Sequence, residues 1–179
     1  MKRTEILISG FGGQGVVRLG QIFSTAAVYE GLYTTMLVSH GTETRGGYVR
    51  SQIVIAGQPI DSPVVENPDY FCAMSKSAYT KFMSLVTAGT ILYDPGYVEP
   101  ERNPIARHVA IPARDRVVQE LGKDIFANSF FLGVLGQYFK TAIHKEHFYQ
   151  ALSERVAKFQ AENRQAFDFG YSYQEGADA

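Results

Sequence analysis

A glycine-rich segment, Gly10-Phe11-Gly12-Gly13-Gln14-Gly15, has the residue spacing that points most directly to chemistry. It fits the pattern G-x-G-x-x-G, whose glycines permit a tight turn, close approach of a phosphate and close packing of a helix. The backbone N–H groups of such a loop and the positive end of the helix dipole favour an anion. We therefore predict a phosphate or pyrophosphate site formed by Gly10, Gly12, Gly13, Gln14 and Gly15. The alternative is a turn with a purely structural role.

The residues around this segment predict the strand and helix that such a loop requires. The apolar run at 5–9 is typical of a buried strand, and apolar residues from 14 to 29 recur every three or four positions, as in an amphipathic helix. Gly31 lies where helices commonly end, and residues 33–38 are rich in β-forming types. A strand–helix–strand unit of this length has a right-handed crossover, so we predict that the two strands form a parallel pair.

The end of the second predicted strand bears on which nucleotide could bind. Sites for nicotinamide or flavin dinucleotides usually place Asp or Glu there, to hold the ribose hydroxyl groups. Here the strand ends in Val38-Ser39-His40, and Glu43 lies further on, within a polar stretch. The sequence thus disfavours NAD, although a stand-alone Rossmann-type nucleotide- or NAD-binding protein remains the alternative function.

The polar stretch from 39 to 47 is a second candidate for function. It contains glycines, is too long for a tight turn and is too polar for the core, so we predict a functional loop.

Metal and redox chemistry find little support in the sequence. Cys72 is the single cysteine, too few for an iron–sulfur cluster or a thiolate zinc site, and its apolar surroundings predict a buried strand. His144 and His147 are three residues apart with no obvious third ligand. We therefore assign neither a metal site nor a catalytic residue to this chain.

Length and composition narrow the class of protein. A chain of 179 residues fits one domain, and its net charge of −1 argues against a globally basic nucleic-acid binder. No apolar run approaches the roughly 18 residues of a membrane span, and the run after MKRTE is too short for a signal peptide. We expect a cytoplasmic protein with neither a nucleic-acid nor a membrane partner.

The remaining predicted elements complete an α/β pattern. Strands are expected at 48–55, 70–74, 90–93 and 107–111, with a short return strand near Ile60, and helices at 113–121, 128–139, 145–158 and 159–168. Ser75 is expected to cap a helix that carries Tyr79, Phe82 and Val86 and is closed by Gly89. The predicted fold is a single α/β domain over residues 1–172, a Rossmann-like, partly parallel sheet with helices on both faces, followed by a flexible tail at 173–179.

Several segments taken together resemble the gamma subunit of the pyruvate, 2-oxoglutarate and 2-oxoisovalerate:ferredoxin oxidoreductases. The matching segments span about residues 5 to 171: Gly10-Phe11-Gly12-Gly13-Gln14-Gly15-Val16; Thr42-Glu43-Thr44-Arg45-Gly46-Gly47 with Arg50-Ser51; Pro68-Asp69 with Ala73-Met74-Ser75; Ala127-Asn128 with Leu132-Gly133; and Ala166-Phe167-Asp168-Phe169-Gly170-Tyr171.

This resemblance implies an activity that is shared among several chains. The whole enzyme would oxidatively decarboxylate a 2-oxoacid, form an acyl-CoA and reduce ferredoxin. Thiamine diphosphate with Mg would lie between alpha and beta subunits, and iron–sulfur clusters on beta or on a ferredoxin-like delta subunit. The gamma subunit would pack against them, supply part of the coenzyme A site and be inactive alone. A short, unfused chain favours 2-oxoglutarate as the substrate.

The resemblance also implies which residues hold coenzyme A. Hydrogen bonds to charged groups contribute about 1.5–3 kcal/mol each, against about 0.3–1 kcal/mol for a helix dipole, so Arg45 is the main candidate. Its alternative is a solvated loop residue without a ligand. Asn128 either donates to the ligand or caps a helix, and Arg18 is a weaker candidate for phosphate contact. The implied set consists of Gly10, Gly12, Gly13, Gln14, Gly15, Thr42, Thr44, Arg45, Gly46 and Asn128.

Overall fold

The computed structural model of the chain describes residues 1–41, 47–101 and 105–176. Within these ranges six strands form one mixed sheet in the order β2-β3-β1-β4-β5-β6. Their bounds are β1 Thr4–Phe11, β2 Tyr33–His40, β3 Tyr48–Ala56, β4 Tyr70–Ala73, β5 Thr90–Tyr93 and β6 Arg107–Ala110. Strands β1, β4, β5 and β6 are parallel neighbours, and β3 is antiparallel to both β1 and β2.

Six α-helices accompany this sheet in the described ranges. They are α1 Val16–Tyr29, α2 Lys76–Phe82, α3 Ala113–Leu121, α4 Ala127–Tyr138, α5 Lys145–Arg155 and α6 Gln160–Tyr171. The Ser75 side chain accepts a hydrogen bond from the Ala78 N–H, which confirms the predicted cap of α2. Gly31 follows α1 at φ 81°, the left-handed conformation expected after a helix end.

Helices cover both faces of the sheet. Successive side chains of a strand point in opposite directions, so the apolar runs of the buried strands place apolar side chains on both faces. Ile6 and Ile8 of β1 face a large core that also receives α1, α3, α4, α5 and α6. Leu7 faces a smaller core closed by Tyr79 and Phe82 of α2. The predicted single α/β domain with a partly parallel sheet and helices on both faces is therefore confirmed.

The predicted parallel pair of β1 and β2 needs correction. The two strands run in the same direction, but β3 lies between them and pairs antiparallel with each. Strand β3 is buried over most of its length, whereas β2 is largely half-buried or exposed, so β3 takes the interior position and β2 the edge.

Two smaller expectations were also wrong. The structure has no strand between residues 57 and 69, all of which it describes; Pro59, Pro63 and Pro68 lack the N–H groups that a paired strand needs. Helix α2 ends at Phe82 and a 3₁₀ turn follows at Met83–Leu85, so Val86 lies outside the helix that was predicted to extend to Gly89.

The tail predicted at 173–179 begins with residues that contact the domain. Tyr173 is buried in the large core, and the Glu175 carboxylate accepts a hydrogen bond from Tyr138 and pairs with Arg107. Residues 177–179 lie outside the described ranges. Across the described part of the chain, no helix combines the length and apolar character that a membrane crossing requires.

Between β1 and β4, the helices that follow the strands change from one face of the sheet to the other. Helix α1, which follows β1, lies on the large-core face, and α2, which follows β4, lies on the other face, while β1 and β4 are parallel neighbours. In open α/β sheets such a reversal leaves a crevice beyond the carboxyl ends of the strands, where ligands commonly bind.

Candidate functional site

A cleft of about 270 Å³ lies at this reversal, beyond the carboxyl ends of β1, β4 and β5. The segment leading into α4 forms its far wall. The lining residues are Phe11, Gly12, Gly13, Gln14, Met74, Asp94, Tyr97, Asp124, Ile125, Ala127, Asn128 and Phe131. Four of the predicted site residues, Gly12, Gly13, Gln14 and Asn128, are thus brought together.

The open part of the cleft is formed by Gly12 and Gly13. A Cβ atom added at either position would meet no atom within 4 Å, and Gly13 has φ +95°, which disfavours other residues. Their two N–H groups donate to no group in the described ranges. Two unpaired N–H groups beside open space can approach a phosphate directly.

Gln14 lines the cleft, but its amide is engaged by the protein itself. Its Oε1 accepts the Phe11 N–H at 2.9 Å, and its Nε2 donates to the Met74 carbonyl at 2.6 Å. A Cβ at Gly10 would lie 2.3 Å from Oε1, so glycine is needed there to make room for this bridge. The Gln14 amide therefore links the ends of β1 and β4 and fixes the conformation of the loop, and Gly10 leaves the space that this amide occupies.

Gly15 and Asn128 form the second close contact. Gly15 has φ +78°, and a Cβ there would lie 2.2 Å from the Asn128 Nδ2. Asn128 is not the N-cap of α4, since Phe126 occupies that position without a side-chain cap. Its Oδ1 accepts the Ser129 N–H, while its Nδ2 donates to nothing that the structure describes. Of the two alternatives drawn from the sequence, the plain N-cap is excluded, and donation by Nδ2 to a ligand stays a prediction.

Two helices begin at this cleft. Neither α1 nor α4 has a side-chain cap, and the first turn of each lacks an acidic residue. The N–H groups of Val16, Val17 and Arg18 in α1 also lack acceptors within the described ranges. The free N–H groups at the start of α1 favour a bound anion, whereas at α4 the Ala127 N–H donates to the Asp124 carbonyl and the Ser129 N–H to the Asn128 side chain.

The cleft also contains charges that sequence reasoning missed. Asp94 is 2% exposed, and burial raises the pKa of its carboxyl group, although it accepts the N–H groups of Gly96 and Arg114. Asp124 lies at the mouth, and the described lining includes no lysine or arginine. The position of Asp94 directly after β5 is the sequence signal that could have found it, since parallel strands end at one edge.

Other predicted residues lie elsewhere. Thr42, Thr44, Arg45 and Gly46 are outside the described residues. Arg18 donates to the Arg155 carbonyl at the end of α5, so its side chain does not reach the cleft. Cys72 is buried on β4, as predicted, and burial raises the pKa of its thiol to about 12, which makes it a poor nucleophile.

Fold and cleft together define an open α/β protein with an anion-suited crevice at the switch point of its sheet. Residues 5–173 match the family described as Pyruvate ferredoxin/flavodoxin oxidoreductase. The chain belongs to this family, which confirms the resemblance seen in the sequence. It is 38% identical over 143 residues to the 2-oxoglutarate synthase subunit KorC of Methanothermobacter marburgensis, covering 74% of this chain and 76% of that subunit.

Two solved structures are similar throughout the chain. The keto/oxoacid ferredoxin oxidoreductase gamma subunit of Geobacter sulfurreducens superposes with a TM-score of 0.82 at 28% identity, covering 96% of this chain and 95% of that one. The 2-oxoglutarate:ferredoxin oxidoreductase of Magnetococcus marinus, with 2-oxoglutarate, coenzyme A and succinyl-CoA bound, superposes with a TM-score of 0.85 at 25% identity. The match covers 96% of this chain and 31% of that chain, so this protein spans about a third of its length.

Proposed function

We propose that this chain is the gamma subunit of a coenzyme A-dependent 2-oxoacid:ferredoxin oxidoreductase, with 2-oxoglutarate as the substrate of the assembly. Its part is to pack against alpha and beta subunits, and a ferredoxin-like delta subunit, and to hold part of coenzyme A. The relatives named for 2-oxoglutarate and the coenzyme A bound in the Magnetococcus marinus enzyme support this assignment.

The observation that carries the coenzyme A proposal is the open glycine pair beside the uncapped start of α1. Coenzyme A presents a pyrophosphate, which needs several N–H donors in one small volume. Gly12 and Gly13 offer two, the first turn of α1 offers more, and the Asn128 Nδ2 adds a side-chain donor. Each hydrogen bond to a charged group contributes about 1.5–3 kcal/mol.

Positive charge must come from outside the described lining, because Asp94 and Asp124 are its charged residues. Phe11 pairs with Tyr48 and His40 pairs with Val49, so Gly41 and Gly47 lie at the end of the sheet where β1 ends. The described residues on either side of 42–46 therefore lie near the glycine loop, which supports Arg45 as a phosphate donor.

The geometry of the sheet weighs against the alternative, an NAD-binding protein. In a dinucleotide fold the strand after the first helix lies beside β1, so that an acid at its end reaches the ribose. Here β3 separates β2 from β1, and two strand spacings amount to about 10 Å. A ribose contact from the end of β2 is thus disfavoured by position as well as by sequence.

The redox and decarboxylation steps belong on partner chains in this proposal. One buried cysteine cannot build an iron–sulfur cluster, so the electrons bound for ferredoxin would pass through beta or delta. Thiamine diphosphate and its Mg ion would be held between alpha and beta.

We expect the purified chain alone to show no 2-oxoacid-dependent reduction of ferredoxin or viologen, and the native complex to show it. Calorimetric titration of the full chain and of the complex, with coenzyme A and with NAD, separates the two candidate functions. Heat from coenzyme A and none from NAD supports the proposal. Turnover by the lone chain, or binding of NAD in preference to coenzyme A, would contradict it.

Replacing Arg45 with alanine is expected to raise the Kd of the complex for coenzyme A about 10- to 100-fold, because a charged hydrogen bond of about 1.5–3 kcal/mol is lost. Lys140→Ala removes the same charge at an exposed position just after α4 and serves as the control. If the chain serves only in assembly of the complex, the subunits should copurify and neither substitution should alter the affinity for coenzyme A.

A further inference from the structure

Three potential metal ligands meet at the end of α1 that is remote from the cleft. Glu30 directly follows α1, His144 directly precedes α5 and His147 lies in the first turn of α5. The Nδ1 atoms of His144 and His147 each lie 2.9 Å from the Glu30 Oε2. One ligand atom from each of the three residues lies within 4.8 Å of the others. Helix α1 has 14 residues, which places this cluster about 20 Å from the glycine loop.

The packing of α1 against α5 fixes the three side chains. Phe23 of α1 and Phe148 of α5 are fully buried with ring centroids 5.8 Å apart, so the helix pair cannot slide freely. The Glu30 carboxylate also accepts the backbone N–H of His144 at 2.8 Å and so caps α5, whose own N-cap side chain makes no capping bond. Glu30 is therefore held by the backbone of the helix that presents the histidines.

The ligand types define which ion would fit. Two imidazole nitrogens with one carboxylate oxygen suit Zn²⁺ and other divalent first-row transition metals, whereas Mg²⁺ and Ca²⁺ prefer sites made of oxygen atoms. In a tetrahedral zinc site with Zn–N bonds of about 2.0–2.1 Å, neighbouring donors are about 3.4 Å apart. The present separations of 2.9 Å require the donors to part by about half an ångström.

The surroundings leave a route for the ion and room for water. The side chain of His144 is 75% exposed, while those of His147 and Glu30 are 28% and 18% exposed. One side of the cluster is thus open and the other is supported by protein, including the ring of Tyr29 beside His147. Three protein ligands and an open position are the usual composition of an accessible zinc site.

We propose that Glu30, His144 and His147 bind one divalent transition metal ion, such as Zn²⁺, which fastens the end of α1 to the start of α5. For binding, a proton on either Nδ1 atom moves to the Nε2 atom of the same ring, or leaves to solvent if the ring is protonated at both nitrogens, so that both Nδ1 atoms present a lone pair to the ion. One carboxylate oxygen turns to the metal, and the other keeps the N–H group of His144. The site is independent of the coenzyme A cleft, so it stands whether or not that assignment holds.

The test titrates the untagged full-length chain, stripped with a chelator, with Zn²⁺ and separately with Mg²⁺. One Zn²⁺ per chain and no saturable Mg²⁺ binding are expected. Glu30→Gln and His144→Ala should each weaken Zn²⁺ binding at least about tenfold. Zn²⁺ at a hundredfold excess over its Kd should raise the Tm by about 5–10 °C.

His40→Ala is the matched control, since it removes an exposed histidine outside the cluster and should leave Zn²⁺ affinity unchanged. Glu30→Gln keeps an oxygen for the His144 N–H, so the variant is expected to fold. Equal Zn²⁺ affinity in the wild type and both cluster variants would overturn the proposal. Half an ion per chain, accompanied by dimerisation, would do the same.

Discussion

Replacement of Gly12 by valine is expected to reduce the affinity of the assembled enzyme for coenzyme A by about 100-fold or more. No atom lies within 4 Å of the position that a Cβ would take there, so the new side chain would extend into the open space proposed for the ligand. Removing two N–H contacts to a phosphate costs about 3–6 kcal/mol, since each contributes about 1.5–3 kcal/mol, and every 1.4 kcal/mol is about tenfold in Kd. The measurement is the KM for coenzyme A in the complex, together with calorimetry.

Stability is the internal control for this substitution. A Cβ there meets no protein atom within 4 Å and the backbone does not need a positive φ, so the free energy of unfolding should change by less than about 0.5 kcal/mol. Gly12→Ala should have an intermediate effect on affinity, because it fills less of the same space. Normal coenzyme A affinity in a folded Gly12→Val complex would remove the cleft from consideration as the coenzyme A site.

The sequence predicted the elements of the fold better than their arrangement. The period of apolar residues in α1 and the glycine at its end are local signals, and both were confirmed at residues 16–31. The position of β3 between β1 and β2 depends on contacts between residues far apart in the sequence. It is decided by which strand has both of its faces buried. Val54 faces one core and Ile53 the other. In the sequence this alternation predicts a buried strand, but it does not indicate which strands lie beside it.

The candidate site shows the same division. The glycine spacing pointed to Gly12 and Gly13, because open space at both positions and the positive φ of Gly13 suit a residue without a side chain. The motif did not reveal that Gln14 would bridge to Met74 or that Asn128 would pack on Gly15. Those contacts join residues 60 or more positions apart, and only the folded sheet brings them together.

Glu30 illustrates a further limit. His144 and His147 were noticed in the sequence for their spacing, but their third partner lies 114 residues earlier, after α1. Helix packing, rather than a local motif, brings Glu30 to the two histidines. The spacing of the histidines in the sequence could not reveal a partner so far away along the chain.

The largest loss of stability is expected for Gly170→Ala. Helices α4 and α6 cross with their backbones in contact: a Cβ at Gly170 would lie 2.0 Å from the Phe130 carbonyl oxygen, and one at Gly133 would lie 2.1 Å from that of Phe167. A backbone oxygen cannot rotate away as a side chain can, so the helices would have to part by about 1 Å. Overpacking costs about 1–3 kcal/mol or more, which exceeds the roughly 0.5–1 kcal/mol gained from helix propensity.

We therefore expect Gly170→Ala to lower the free energy of unfolding by about 2–4 kcal/mol and the Tm by about 5–15 °C, measured by denaturant and thermal unfolding. Gly136→Ala, one turn beyond Gly133 in α4, is the matched control. Its Cβ would meet the Phe148 ring at 3.3 Å, and a ring can shift by a few tenths of an ångström, so we expect a change within about 1 kcal/mol. Because α4 also carries Asn128 at the cleft, separation of the two helices should weaken coenzyme A binding in the same variant. Wild-type stability of Gly170→Ala would mean that α4 and α6 do not cross at these glycines, and the wall of the cleft that α4 provides would have to be placed differently.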